Sequence, residues 1–238
     1  MNRETGWNGV LRLLFPQRCP VCDGIVRGRD GFICAGCATK LRYVEAPWCM
    51  KCGKKLTEET EICADCRRMV HQFVRGRALY EYESAAAGIY RLKYAGRREY
   101  AQFYGREMAE YLRDFLQSVR PDGLIPIPLH KKRKRERGYN QAELLARELS
   151  RHSRIPVYTD YLKRVKATVP LKRLNPQERQ NNLKKAFKIA RNDVELKTVI
   201  LVDDIFTTGS TIDEAAGVLR ANGVEKVYFV ALARGTGV

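Results

Sequence analysis

Residues 199–211 read VILVDDIFTTGST, and this stretch decides the fold and points to the chemistry. Val199 to Val202 is an unbroken apolar run, as expected of a parallel strand buried on both faces. Asp203 and Asp204 follow at its carboxyl end, where open α/β sheets place their ligands, and both side chains are expected to face solvent there. A loop rich in hydroxyls comes next: Thr207, Thr208, Gly209, Ser210 and Thr211. Ile212, Ala215, Ala216 and Leu219 then recur at helical spacing, so a helix starts at the end of the loop. Backbone N–H groups at a helix start, beside hydroxyls and a permissive glycine, form an anion cradle. With two carboxylates alongside, the layout suits a phosphorylated sugar, its hydroxyls or a magnesium ion lying next to the phosphate.

Two other phosphate motifs are excluded. A Walker B strand needs a G-x-x-x-x-G-K-[ST] loop, and the only Gly-Lys, at Gly53-Lys54, is followed by Lys55 among cysteines. A D-x-D phosphotransferase pattern fails because Ile205 stands where the second acid belongs.

The segment resembles the 5-phosphoribosyl-1-pyrophosphate (PRPP) signature of type I phosphoribosyltransferases. That resemblance implies that Asp203 and Asp204 hold the ribose hydroxyls and that Thr207 to Thr211 hold the 5′-phosphate. It also implies magnesium bound with PRPP. In purine-salvage members an aspartate stands where this chain has Thr207, and threonine is a poor base at neutral pH, which speaks against a 6-oxopurine acceptor.

All eight cysteines fall in four C-x-x-C pairs: Cys19/Cys22, Cys34/Cys37, Cys49/Cys52 and Cys63/Cys66. The block is an internal duplication, since FICAGC at 32–37 echoes EICADC at 61–66. Each half is a C-x-x-C…C-x-x-C unit with the spacing of a four-thiolate, closed, structural zinc site. Disulfides are the alternative and need an oxidising compartment. The N-terminal apolar patch Val10–Phe15 is interrupted by Arg12 and too short for a signal or a membrane span, so a cytoplasmic protein without a membrane span is expected. A short helix docking on the ribbon is expected there instead.

A chain of 238 residues allows one large domain or two small ones. Composition changes after Cys66, so the expected division is 1–72, a double zinc ribbon, and 73–238, a catalytic-type α/β domain. The first part is too small to hold itself together without metal.

The formal net charge is +17. HKKRKRER at 130–137 carries six Lys/Arg against one Glu, and 163–191 carries ten against Glu178 alone. One small anionic ligand needs only a few cations, so a polyanion partner is expected, and Lys131, Lys132, Lys134 and Arg135 are candidate nucleic-acid contacts.

In the second part, 84–118 reads as two helices broken near Gly96. Leu124–Pro128 reads as a strand, 129–138 as a basic loop and Tyr139–Ser150 as a helix. Strands are also expected at 156–161, 187–190 and 226–233, and a helix at 175–182. Strands alternate with helices, so a mainly parallel sheet covered on both faces is expected.

Arg133, Arg137, Gly138, Tyr139, Asn140 and Gln141 resemble the R-x-x-x-R-G-(F/Y)-N-Q string of the ComF/GntX family, whose members also carry an N-terminal double zinc ribbon. Arg179, Asn182 and Phe187 resemble a second stretch of it. The resemblance covers nearly the whole chain. It implies that Arg133 and Arg137 stabilise a leaving pyrophosphate. It also implies a role in DNA uptake during natural transformation, with single-stranded DNA and a helicase-like ATPase as partners. Asn140 could cap the following helix or touch ligand, and Arg179 could reach ligand or be surface charge. Two readings stay open: a transferase whose acceptor is unidentified, and a DNA-uptake adaptor that binds PRPP as a regulator or not at all.

Overall fold

The computed structural model describes residues 16–26, 31–57, 59–166, 186–191 and 194–235. The expected helices near 10–15 and at 175–182, with Arg179 and Asn182, lie outside these.

Two one-turn helices, α1 (Ala35–Ala38) and α2 (Ala64–Arg68), belong to the cysteine block. The rest runs β1 (Gly76–Glu81), α3 (Tyr82–Tyr94), α4 (Tyr100–Tyr111), α5 (Arg113–Val119), β2 (Gly123–Pro126), α6 (Lys131–Arg137), α7 (Gln141–Ser153), β3 (Leu162–Arg164), β4 (Phe187–Ile189), β5 (Thr198–Phe206), α8 (Ser210–Ala221) and β6 (Lys226–Arg234). Strands β1, β6, β5 and β2 lie side by side in that order, and every pairing is parallel. The chain is therefore mixed α/β with a mainly parallel sheet, as expected.

The apolar run of β5 is explained by burial on both faces. Val199 and Leu201 pack with Phe229 and with Ile212, Ala215, Ala216 and Leu219 of α8. Ile200 and Val202 pack on the other face with Ile89, Tyr104 and Leu145 from α3, α4 and α7. The second cysteine cluster is continuous with the first of these cores, since Cys49, Cys52 and Cys63 share it with Phe73 and Phe229. The cysteine block also covers the β1 edge of the sheet: Val44 N–H donates to the Leu79 carbonyl at 2.9 Å and Glu81 N–H to the Arg42 carbonyl at 2.8 Å. An edge so paired cannot template association with another chain.

Several local expectations need correction. The basic run 131–137 is helix α6, not loop. His130 starts it, its Nδ1 accepting from Lys132 N–H at 3.3 Å, and Gly138 ends it at φ 79° in the left-handed region that glycine tolerates. Lysine and arginine are good helix formers, so charge alone does not prevent the turn. The segment 156–161 makes only a parallel bridge from Val157 to Leu124 at the sheet's other edge. The strand at 187–189 pairs antiparallel with β3, apart from the main sheet. The helical stretch 82–119 holds three helices, with a joint at Leu112 besides the one at Gly96. No described helix is long and apolar enough to cross a membrane.

Candidate functional site

The acid pair stands inside central strand β5, which runs past the expected end at Val202 as far as Phe206 and stays paired to β6 throughout, and the strand pleat decides what each acid meets. Alternate residues point to opposite faces. Asp204 follows the direction of Ile200 and Val202, toward α3, and its carboxylate contacts the Lys93 ammonium in an ion pair. Asp204 is 5% exposed, so it does not face solvent as expected. A buried carboxylate needs such a partner to stay charged. Asp203 follows Val199 and Leu201 instead and is half-buried. Burial pushes its carboxyl up to about 6, while Lys93 and Arg164 pull the other way. Its Oδ1 accepts from Asp204 N–H at 2.8 Å, which fixes the rotamer.

Sequence reasoning does not single out Lys93 or Arg164. They come from α3 and β3, distant along the chain. Arg164 is carried to the site because β3 bridges to His130, just past β2. It packs its guanidinium over Phe187 at 5.4 Å and lies within electrostatic reach of both Arg133 and Asp203.

Past the acids, Thr207 is exposed, Thr208, Ser210 and Thr211 are half-buried, and Gly209 is buried. Gly209 sits at φ 86° immediately before α8. A Cβ there would stand 3.1 Å from Phe206 Cζ and 3.3 Å from His71 Cε1. The Thr208 and Ser210 hydroxyls are 3.0 Å apart. No side chain caps α8, so its first-turn N–H groups, which lack partners within the helix, open onto the loop. The loop is held from behind. Asp213, in the first turn of α8, accepts from His71 Nδ1 at 2.7 Å and from Gln72 N–H at 2.8 Å.

Helix α6 leaves the strand next to β5, at the same end of the sheet. It sorts its charges by helical spacing. Arg133 and Arg137, at i and i+4, are half-buried against the protein, while Lys131, Lys132, Lys134 and Arg135 are exposed. Arg137 packs its guanidinium 5.1 Å over Tyr94 and donates to the Gln141 side chain. Lys134 reaches Glu143 at 3.3 Å. Asn140 caps α7, accepting from Ala142 N–H at 3.1 Å and donating to the Ile127 carbonyl at 3.0 Å. Those bonds occupy both ends of its amide.

The cysteines assemble into two groups, Cys19/Cys22/Cys34/Cys37 and Cys49/Cys52/Cys63/Cys66, with the sulfurs of each within 4.8 Å of one another. Cys22–Cys34, Cys19–Cys34 and Cys52–Cys63 are 3.7, 3.6 and 3.7 Å apart. A tetrahedron with Zn–S of about 2.3 Å has edges near 3.8 Å, whereas a disulfide requires about 2.05 Å. All eight cysteines are free, and both sites fit structural zinc.

A family profile for a double zinc ribbon domain matches residues 10–67, and one for a phosphoribosyl transferase domain matches residues 136–236. Competence protein F of Haemophilus influenzae is 33% identical over 226 residues, which span 92% of this chain and 98% of that protein. Competence protein ComFC of Bacillus subtilis is 31% identical over 252 residues, spanning 94% and 95%. DNA utilization protein YhgH of Escherichia coli (strain K12) is 30% identical over 230 residues, spanning 93% and 99%. The chain belongs to the ComF/GntX family. Its double ribbon and phosphoribosyltransferase fold account for the cysteine groups and for an acid pair near the carboxyl end of β5. The two profiles take in all eight cysteines, Arg137 and the acid pair with its loop, while Lys93, Arg133 and the start of α6 fall between them.

Proposed function

We infer that this protein binds PRPP and serves in competence, handling DNA that enters the cell. One observation carries the PRPP reading: a charged acid pair at the carboxyl end of a central parallel strand, followed by a hydroxyl loop, a left-handed glycine and an uncapped helix start. Asp203 and Asp204 would take the ribose hydroxyls, and Thr207, Thr208, Gly209, Ser210 and Thr211 the 5′-phosphate. Arg133 and Arg137 stand on the strand-to-helix connection next door, where a pyrophosphate group would lie. Guanidinium forks suit phosphate oxygens. Magnesium bound with PRPP would be held beside the Asp203 and Asp204 carboxylates and would supply positive charge that offsets the pyrophosphate.

The DNA reading rests on the names of the relatives and on charge. Lys131, Lys132, Lys134 and Arg135 form an exposed basic face that suits the phosphates of single-stranded DNA. A helicase-like ATPase is the proposed protein partner. Eight grouped free thiols suit a reducing, cytoplasmic setting.

Titration calorimetry with PRPP and magnesium tests the site. Wild type should bind, and Asp203→Asn with Asp204→Asn should not. Equal affinity in both proteins removes the assignment. Pyrophosphate release with a panel of nucleobases reports separately on turnover.

A further inference from the structure

Helix α3 exposes two tyrosines one turn apart. Tyr90 is 63% and Tyr94 66% exposed, and their ring centroids are 5.1 Å apart at an interplanar angle of 48°. Large aromatic rings are ordinarily drawn into cores or interfaces, so a paired, open set calls for an occupant. Their place in the fold is specific. Lys93, next to Tyr94, reaches Asp204. On the other side Arg137, the last residue of basic helix α6, stacks on Tyr94 at 5.1 Å. Tyr94 therefore stands between the partner of Asp204 along its own helix and the last residue of the basic helix, with Tyr90 packed on it. The contact with Arg137 gives Tyr94 a structural use, but Tyr90 lies a turn beyond it.

We propose that Tyr90 and Tyr94 are the base-stacking platform of a single-stranded DNA site whose phosphates run over Lys131, Lys132, Lys134 and Arg135. The proposal rests on the DNA-binding reading above. Aromatic faces accept any base, and a neighbouring basic strip takes the backbone, which is how non-specific single-strand sites combine their two terms. The arrangement disfavours duplex DNA as occupant, because paired bases keep their faces within the stack. The charge complementarity is local as well as global: α6 holds six Lys/Arg against Glu136, within a chain of net charge +17.

The test uses the zinc-loaded full chain and fluorescence anisotropy, with a labelled oligodeoxythymidine and an abasic strand of equal length. Four variants are compared with wild type: Tyr90→Ala, the Tyr90→Ala/Tyr94→Ala pair, the Tyr90→Phe/Tyr94→Phe pair, and Lys131→Ala/Lys132→Ala/Lys134→Ala/Arg135→Ala. The alanine pair should weaken oligodeoxythymidine binding about five- to hundredfold. Its affinity for the abasic strand and its salt slope should stay those of wild type. Tyr90→Ala, which leaves the Arg137 stack in place, should show part of the loss, and the phenylalanine pair should bind normally. The α6 variant should weaken both strands and flatten the slope by about 0.7 for each phosphate no longer neutralised. Tyrosine variants that bind oligodeoxythymidine like wild type, or lose both strands equally, overturn the platform. An α6 variant with unchanged binding and slope overturns the DNA-binding reading itself, and the platform with it.

Discussion

His71 Nδ1 stands 2.7 Å from Asp213 Oδ2, and the same ring's Nε2 stands 3.5 Å from Cys66 Sγ. One buried imidazole thus touches a cysteine of the second ribbon and the first turn of α8, whose start forms the loop at Gly209. His71 also stacks on Phe73 at 4.5 Å, so the ring has little freedom. The ribbon is consequently part of the scaffold that sets the loop. His71→Ala should lower stability by about 1–3 kcal/mol, the cost of leaving a largely buried polar partner unmade. Thermal melting measures this. Hydrogen exchange across 207–213 should rise in the variant, and an unchanged exchange pattern would separate the ribbon from the loop.

The metal content follows from the two sulfur groups. Elemental analysis of the purified protein should give two zinc ions per chain. Cys34→Ser should lose one ion and loosen the first ribbon. Cys63→Ser should lose the other and lower the melting temperature of the whole chain, because Cys63 lies in the core shared with the sheet. Structural zinc contributes about 10–16 kcal/mol of apparent binding free energy. A zinc-free protein of equal stability would refute the assignment.

The Lys93–Asp204 pair predicts a strong asymmetry in a double-mutant cycle. The Lys93 and Asp204 side chains are 17% and 7% exposed. Lys93→Met strands a buried carboxylate and should cost about 3–5 kcal/mol, whereas Lys93→Met/Asp204→Asn should recover much of that loss. Denaturant unfolding supplies the four free energies. Strictly additive single effects would mean that the two groups do not interact.

What is legible in the sequence is what lies close together along it. The acid pair, the glycine loop and the C-x-x-C pairs each occupy one short window, and their spacing carries the chemistry. Lys93 and Arg164 are not legible. Lys93 follows Leu92 in an ordinary amphipathic helix, and only the fold shows that its end meets Asp204. Arg164 stands inside a long basic run, where the sequence does not set one half-buried guanidinium apart from the other cations. Strand β1 is hidden because Arg77 and Glu81 interrupt the apolar pattern of GRALYE. The basic run 131–137 reads as loop because like charges repel. Its local caps, His130 and Gly138, decide for helix. They also make Arg133 and Arg137 face inward and leave the remaining cations outside.

Asp203 predicts opposite pH trends for stability and for ligand binding. Its carboxyl lies at about 6 in the fold, raised by burial, against an ordinary value of about 3.9. Between those values the folded chain holds a proton that the unfolded chain has released, so this group's contribution falls as pH rises from about 4 to 6. Above that range the ionised fold carries a penalty on the order of 1–3 kcal/mol. Asp203→Asn should therefore be more stable than wild type at neutral pH, with the difference vanishing near pH 4. Comparing the two proteins cancels the loss of zinc from acidified thiolates. PRPP affinity should move the other way and rise from about pH 5 to 7, as the carboxylate forms. A difference in stability that does not vary with pH would place the carboxyl in its ordinary range.

Gly209 offers the sharpest test of the loop, because backbone and packing both bear on one atom. At φ 86° an L-residue is strained by about 1 kcal/mol or more. The added methyl would also press on Phe206 at 3.1 Å and on His71 at 3.3 Å. Phe206 is stacked on Phe229 at 4.2 Å and cannot retreat without disturbing the core. The easier relief is for the loop to move outward, away from both rings. Gly209→Ala should then cost about 1–3 kcal/mol in unfolding measurements. It should weaken PRPP binding by at least tenfold, since N–H donors displaced from the start of α8 lose their aim at a phosphate. Inorganic phosphate should weaken in parallel if the loop holds that group. Full PRPP affinity in a correctly folded Gly209→Ala protein would show that the 5′-phosphate binds elsewhere.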